Sequence, residues 1–227
     1  MEPYDRTSVS EVFRDAKRIF DARRKFWLTA GVAHFAVTVG LLALLMAIPY
    51  LISDHKADFK FVTSMNQAWI FTAIIWSIHT GFLRMAFAQL QEKNSDWSGF
   101  IEGFFAGVLI LIPTVVWGAL SAVLQMKFRD DPFKEFIGQV FLYLLLFGYG
   151  LAFLLHLARR NPTKFTVTLK SWNLRFWASH LKLSMVVVLL NLVGLLLGGI
   201  GMIFTLPISC LALAIHYNRF VPLPESA

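Results

Sequence analysis

Four long apolar runs, Phe26–Ile52, Ala68–Leu90, Phe104–Leu124 and Phe136–Leu157, do most to restrict how this chain can fold. A helix needs about 20 apolar residues to cross a hydrocarbon layer roughly 30 Å thick, because only internal hydrogen bonds can satisfy its backbone there. Each run reaches that length. The polar loops 53–60 and 125–135 are short, so neighbouring spans pair as antiparallel hairpins. A fifth apolar region, Leu181–Tyr217, would extend about 55 Å as one straight helix, so it has to break. Gly198, Gly199 and Gly201 tolerate the positive φ of a tight turn, and Pro207 fits a helix start or kink. Division there gives spans 181–200 and 202–217. The second is short, and a re-entrant hairpin remains the alternative. The expected fold class is all-α: a polytopic transmembrane bundle of six spans (26–52, 68–90, 104–124, 136–157, 181–200, 202–217) in a single membrane domain.

Composition agrees. Hydrophobic residues make up 57% and charged residues 15% of the chain, where a soluble domain has about 25% charged, and mean hydropathy is +0.61. The net charge of +7 is spread over short loops between apolar runs, a pattern suited to anionic lipid headgroups and not to nucleic acid. Cys210, the one cysteine, lies in an apolar stretch and offers neither a disulfide framework nor a metal cluster. About 25 polar residues precede the first run, which is much longer than a signal peptide's apolar core, so it is expected to be retained.

The distribution of Lys and Arg sets the orientation. With six spans, sixteen of the twenty-one fall on the side that carries both termini, and five (Lys56, Lys60, Lys127, Arg129 and Lys134) fall on the other. The first side is expected to be cytoplasmic.

Three segments on that side carry apolar stripes at helical spacing. In 8–24, Val9, Val12, Phe13, Ala16, Ile19 and Phe20 line one face, and Ser8 with Glu11 has the pattern of a capping box. In 95–104 the stripe is Trp97, Phe100, Ile101 and Phe104. In 163–178 it is Phe165, Leu169, Trp172 and Phe176. Aromatic faces beside cations suit the headgroup boundary. The expectation is therefore interfacial amphipathic helices, with Phe13, Phe20, Trp97, Phe100, Trp172 and Phe176 at the membrane surface and Arg84 snorkelling to headgroups. Three repeats of interfacial helix plus hairpin are one reading of this order; ordinary amphipathic flanks are the other.

The segments WSGFIEGF (Trp97–Phe104), LKSWNLRFW (Leu169–Trp177) and NLVGLLLGGIGMIFTLPISCLALAIHY (Asn191–Tyr217) resemble a family of uncharacterised bacterial inner-membrane proteins. That family is related to the membrane domain attached to some glycerophosphodiester phosphodiesterases. The resemblance implies a six-span domain in the bacterial inner membrane. It supplies no catalytic residues, and the loops leave no room for the phosphodiesterase itself.

Chemistry is sparse. No Asp or Glu lies well inside a span, which argues against a carboxylate-based proton-coupled carrier. Zinc, phosphate-loop and nucleophile-elbow motifs are absent from the sequence. Asp54, His55 and Asp58 read as a solvated loop, with no metal expected. His34 and His79 can share a depth on adjacent spans, so a b-type haem pair is one reading and ordinary hydrogen-bonded histidines the other. Gly194 with Gly198, and Gly118 with Ala122, form small-xxx-small steps for close helix approach, with Asn191 one turn before Gly194. No cofactor is expected. The resulting expectation is a non-enzymatic membrane scaffold or accessory subunit, with a membrane-protein partner or a homo-oligomer. A carrier or lipid-handling protein and a haem redox protein are the alternatives.

Overall fold

The computed structural model describes residues 8–52, 65–91, 97–107, 151–159 and 165–221, with short stretches between 109 and 138. These residues are helical, without strands, so the all-α class holds. The helices with described bounds are α1 (Val9–Ala22), α2 (Arg24–Ile52), α3 (Met65–Leu90), α4 (Trp97–Gly107), α5 (Phe165–Ser171), α6 (Leu174–Leu196) and α7 (Met202–Phe220). A further helical segment covers 151–158. Most of the runs 104–124 and 136–157 lies outside the described residues, as do Gly118 and Ala122.

α7 is the centre of the assembly. It packs against α1, α2, α3 and α6, and from Ser209 to Tyr217 every residue is buried. The N-terminus of α1 carries the capping box expected from Ser8 and Glu11. Ser8 Oγ accepts the Glu11 N–H at 3.3 Å, and the Glu11 carboxylate accepts the Ser8 N–H at 3.2 Å. Each bond satisfies a donor that the helix start would leave open. Val12, Ala16 and Phe20, spaced by four, then bury one face of α1.

Two expectations about the flanking segments change here. Phe20 is 4% exposed and Phe13 packs on the same core, so the stripe of α1 faces protein and not headgroups. The physical reason is that α7 stands beside it. Segment 163–178 is not one interfacial helix either. α5 ends at Ser171, and Asn173 caps α6 by accepting the Phe176 N–H at 3.0 Å. The fifth apolar helix thus starts at Leu174, and the end of the aromatic segment forms its first turn. Likewise Trp97 to Gly107 is one helix, continuous across the boundary drawn at Phe104.

α6 and α7 are joined by the glycine turn. Gly198 and Gly199 take φ of 73° and 80°, a region closed to most side chains. Gly201 serves differently: its own φ is ordinary, but a Cβ there would lie 2.7 Å from Gly194 Cα. One face of α6, with Phe176, His180, Leu183, Ser184, Val187 and Gly194, is buried. The opposite face is apolar and bare, with Met185 63% and Leu196 76% exposed. Among the described residues, α6 is the one helix long and apolar enough to cross a membrane, and 28% of its apolar window is buried.

Candidate functional site: the polar cluster around the end of α7

The last turns of α7 bring His216 and Tyr217 into the interior. Buried polar atoms need partners, and converging helices supply them. Ser179 Oγ of α6 lies 2.9 Å from His216 Nε2. The His180 ring is 5.8 Å from that of His216. Phe176 stacks on His180 at 5.1 Å, and Phe220 covers His216 at 4.8 Å.

On the other side of α7, His156 Nδ1 lies 3.4 Å from the Tyr217 hydroxyl and 3.3 Å from Thr168 Oγ1 of α5. Arg159 follows one turn after His156. Its side chain is 1% exposed, Nη1 donates to the Val221 carbonyl at 3.2 Å, and the guanidinium lies 5.8 Å from the Tyr217 ring centroid. Burial holds its pKa below the usual guanidinium value, with Tyr217 acting in the opposite sense. Arginine nevertheless stays charged. Nearby, Arg219 donates to Asp15 of α1 at 2.8 Å and ties the end of α7 to the first helix.

The residues singled out from the sequence distribute as follows. Phe176 is fully buried at the centre of this cluster, so its assignment to the membrane surface is corrected: neighbouring helices cover it where lipid was expected. Trp172 stacks on it at 6.0 Å and is half-buried. Trp97 is 42% exposed, while Phe100 packs on Phe82 at 5.1 Å. Arg84, expected to reach headgroups, is 16% exposed and pairs with Glu102 of α4 at 2.6 Å, a carboxylate one helix away.

Gly194 packs against Gly201 and Thr205 of α7, whereas a Cβ on Gly198 would meet nothing within 4 Å. The two glycines therefore do different jobs, one contact and one turn. Asn191 Nδ2 donates to Ser209 Oγ at 3.1 Å and bridges α6 to α7. His34 and His79 are brought together: their ring centroids are 5.6 Å apart, and His34 stacks on Phe82 at 4.4 Å. Two facing imidazoles can share a proton or a ligated metal.

Two features escaped the sequence reading. One is the α3–α4 contact, signalled by Gly99, Gly103 and Gly107 at intervals of four. The other is the Arg159 cluster, whose signal is His156 and Arg159 at helical spacing across the end of an apolar run. No protein family, curated protein or solved structure matches the chain.

Proposed function

We propose that this chain is a multi-pass integral membrane protein of six spans, with both termini cytoplasmic in a bacterial inner membrane, and that it acts as a non-enzymatic scaffold or accessory subunit. The observation that carries the reading is the bare apolar face of α6. Leu181, Met185, Leu189, Leu192 and Leu196 form a continuous exposed stripe, which is costly in water and neutral against acyl chains. α6 measures about 34 Å at 1.5 Å per residue, enough for the hydrocarbon layer. α6 and α7, joined by the turn at Gly198 and Gly199, are read as the fifth and sixth spans, with a re-entrant hairpin as the alternative. The sequence resemblance to six-span inner-membrane proteins supports the same reading.

A role without catalysis is favoured by how the described interior is used. Gly31, Gly103, Gly107, Gly194 and Gly201 bring helix backbones into contact, so these interfaces are occupied by the helices themselves. Gly198 and Gly199 form a turn joining two packed helices, which favours a packing role for this glycine break over the interrupted span of a carrier. The juxtaposition of His34 and His79 favours the haem reading in second place, and an absorbance scan for a Soret band decides it.

Topology is tested by single-cysteine labelling in intact cells, with Lys56→Cys and Lys170→Cys in turn. Cys210 is buried and gives little background. An impermeant maleimide is expected to modify Lys56→Cys and to spare Lys170→Cys; the reverse pattern sinks the orientation. Mild-detergent purification is expected to recover a stoichiometric partner or a homo-oligomer. A lone monomer, with nothing captured by crosslinking in native membranes, refutes the scaffold role.

A further inference from the structure

The arginines that leave the surface of this protein are not treated alike. Arg84 pairs with Glu102 and Arg219 with Asp15. Arg159 is more deeply buried than either, yet no carboxylate pairs with it among the described residues. One of its donors is used, by the Val221 carbonyl. Nε and Nη2 are both fully buried and have no acceptor among the described residues.

A buried guanidinium is costly unless its charge and its N–H groups are met. The two open donors are adjacent on the same edge of the fork. That edge presents two parallel N–H groups, the arrangement that binds carboxylate or phosphate oxygens bidentately. Charge selects the sign of the ligand. Arg159 is itself cationic and the chain as a whole carries +7, so an anion gains and a cation loses. Between anions, a phosphate offers a guanidinium fork more charge and more acceptor oxygens than a carboxylate does. The Tyr217 ring lies 5.8 Å from the guanidinium, and its hydroxyl and that of Thr168 both meet His156 Nδ1.

We propose that the Nε/Nη2 edge of Arg159 anchors a binding site for a phosphate-bearing anion at the α7 end of the bundle. The same chemistry is offered by a phospholipid headgroup and by a soluble phosphate compound. The assignment stands on Arg159 itself and does not depend on how many spans the chain has.

The full chain, purified in a nonionic detergent, is titrated with inorganic phosphate at matched ionic strength. In a second arm it is titrated with phosphatidylglycerol against phosphatidylcholine in mixed micelles. Bound ligand raises the unfolding temperature by mass action, so a saturable rise is expected. A rise with inorganic phosphate assigns the site to a soluble phosphate; a rise with phosphatidylglycerol alone assigns it to a headgroup. In Arg159→Gln the apparent Kd is expected to weaken at least tenfold. If that variant does not fold, Arg159→Lys, which keeps the charge and loses the fork, must weaken binding at least tenfold. No saturable rise in either arm overturns the proposal. So does an Arg159→Gln protein that is less stable but responds as the wild type does, since Arg159 would then be structural alone.

Discussion

Replacing Gly31 by alanine lowers the stability of the folded chain by about 3 kcal/mol, the upper part of the range for overpacking a closed contact. A Cβ on Gly31 would land on the carbonyl oxygen of Ile203 and lie 3.0 Å from its carbonyl carbon. The obstacle is backbone, so no rotamer change can relieve it. The approach has a cause in the sequence. Residue 207 is proline, which has no N–H to give to the carbonyl four residues earlier, and that carbonyl belongs to Ile203. An oxygen released from the helical ladder is where α2 can come closest, through Cα–H groups that only glycine exposes fully. Gly40 of the same helix is the control, since a Cβ there meets nothing within 4 Å. Gly40→Ala is expected to be neutral, or to stabilise by up to about 1 kcal/mol through helix propensity. Unfolding midpoints of the two variants in one detergent make the comparison. Equal midpoints would mean that α2 and α7 do not meet as described.

The second large effect belongs to the α3–α4 hairpin. A Cβ on Gly103 would lie 2.8 Å from Gly81 Cα and 2.9 Å from the Thr80 carbonyl oxygen, and one on Gly107 would lie 2.6 Å from Ser77 Cα. Both obstacles are again backbone. Gly103→Ala and Gly107→Ala are each expected to cost about 2 kcal/mol after the propensity gain of alanine. Together they should cost less than the sum, because the first methyl already pushes the helices apart and opens room for the second. The same unfolding assay on the two singles and the double measures the coupling. Strict additivity would indicate two separate local adjustments in place of one helix displacement.

These two contacts also mark where the sequence could be read and where it could not. Local signals carried through: Ser8 with Glu11 closes its capping box, and Gly198 and Gly199 make the turn that divides the last apolar region. Asn191 bonds across the helix pair where its place one turn before Gly194 put it. Stripes were harder. An apolar face at helical spacing is the same in sequence whether lipid or another helix covers it, so Phe20 and Phe176 read as surface aromatics and are core. Between Trp97 and Gly107 the aromatic residues form the visible stripe, while Gly103 and Gly107 on the same helix set the distance to α3. Arg84 has its counter-charge 18 residues away on another helix, a pairing that appears only once α3 and α4 are docked. The break at Asn173 was legible in principle, as an amide side chain three residues before Phe176, but the aromatic stripe runs straight through it.

The central place of α7 has a consequence for how the chain is made. α1 and α2 leave the ribosome early, and each finds its principal neighbour in α7, which is translated after them; α3 meets α4 sooner but also waits for α7. Until then Phe20, Ala30 and Phe87 have no permanent seat. The nascent protein therefore spends much of its synthesis without its central packing, and it consolidates in one late step when the keystone arrives. Arg219 closes that step by reaching back to Asp15, across 204 positions of the chain.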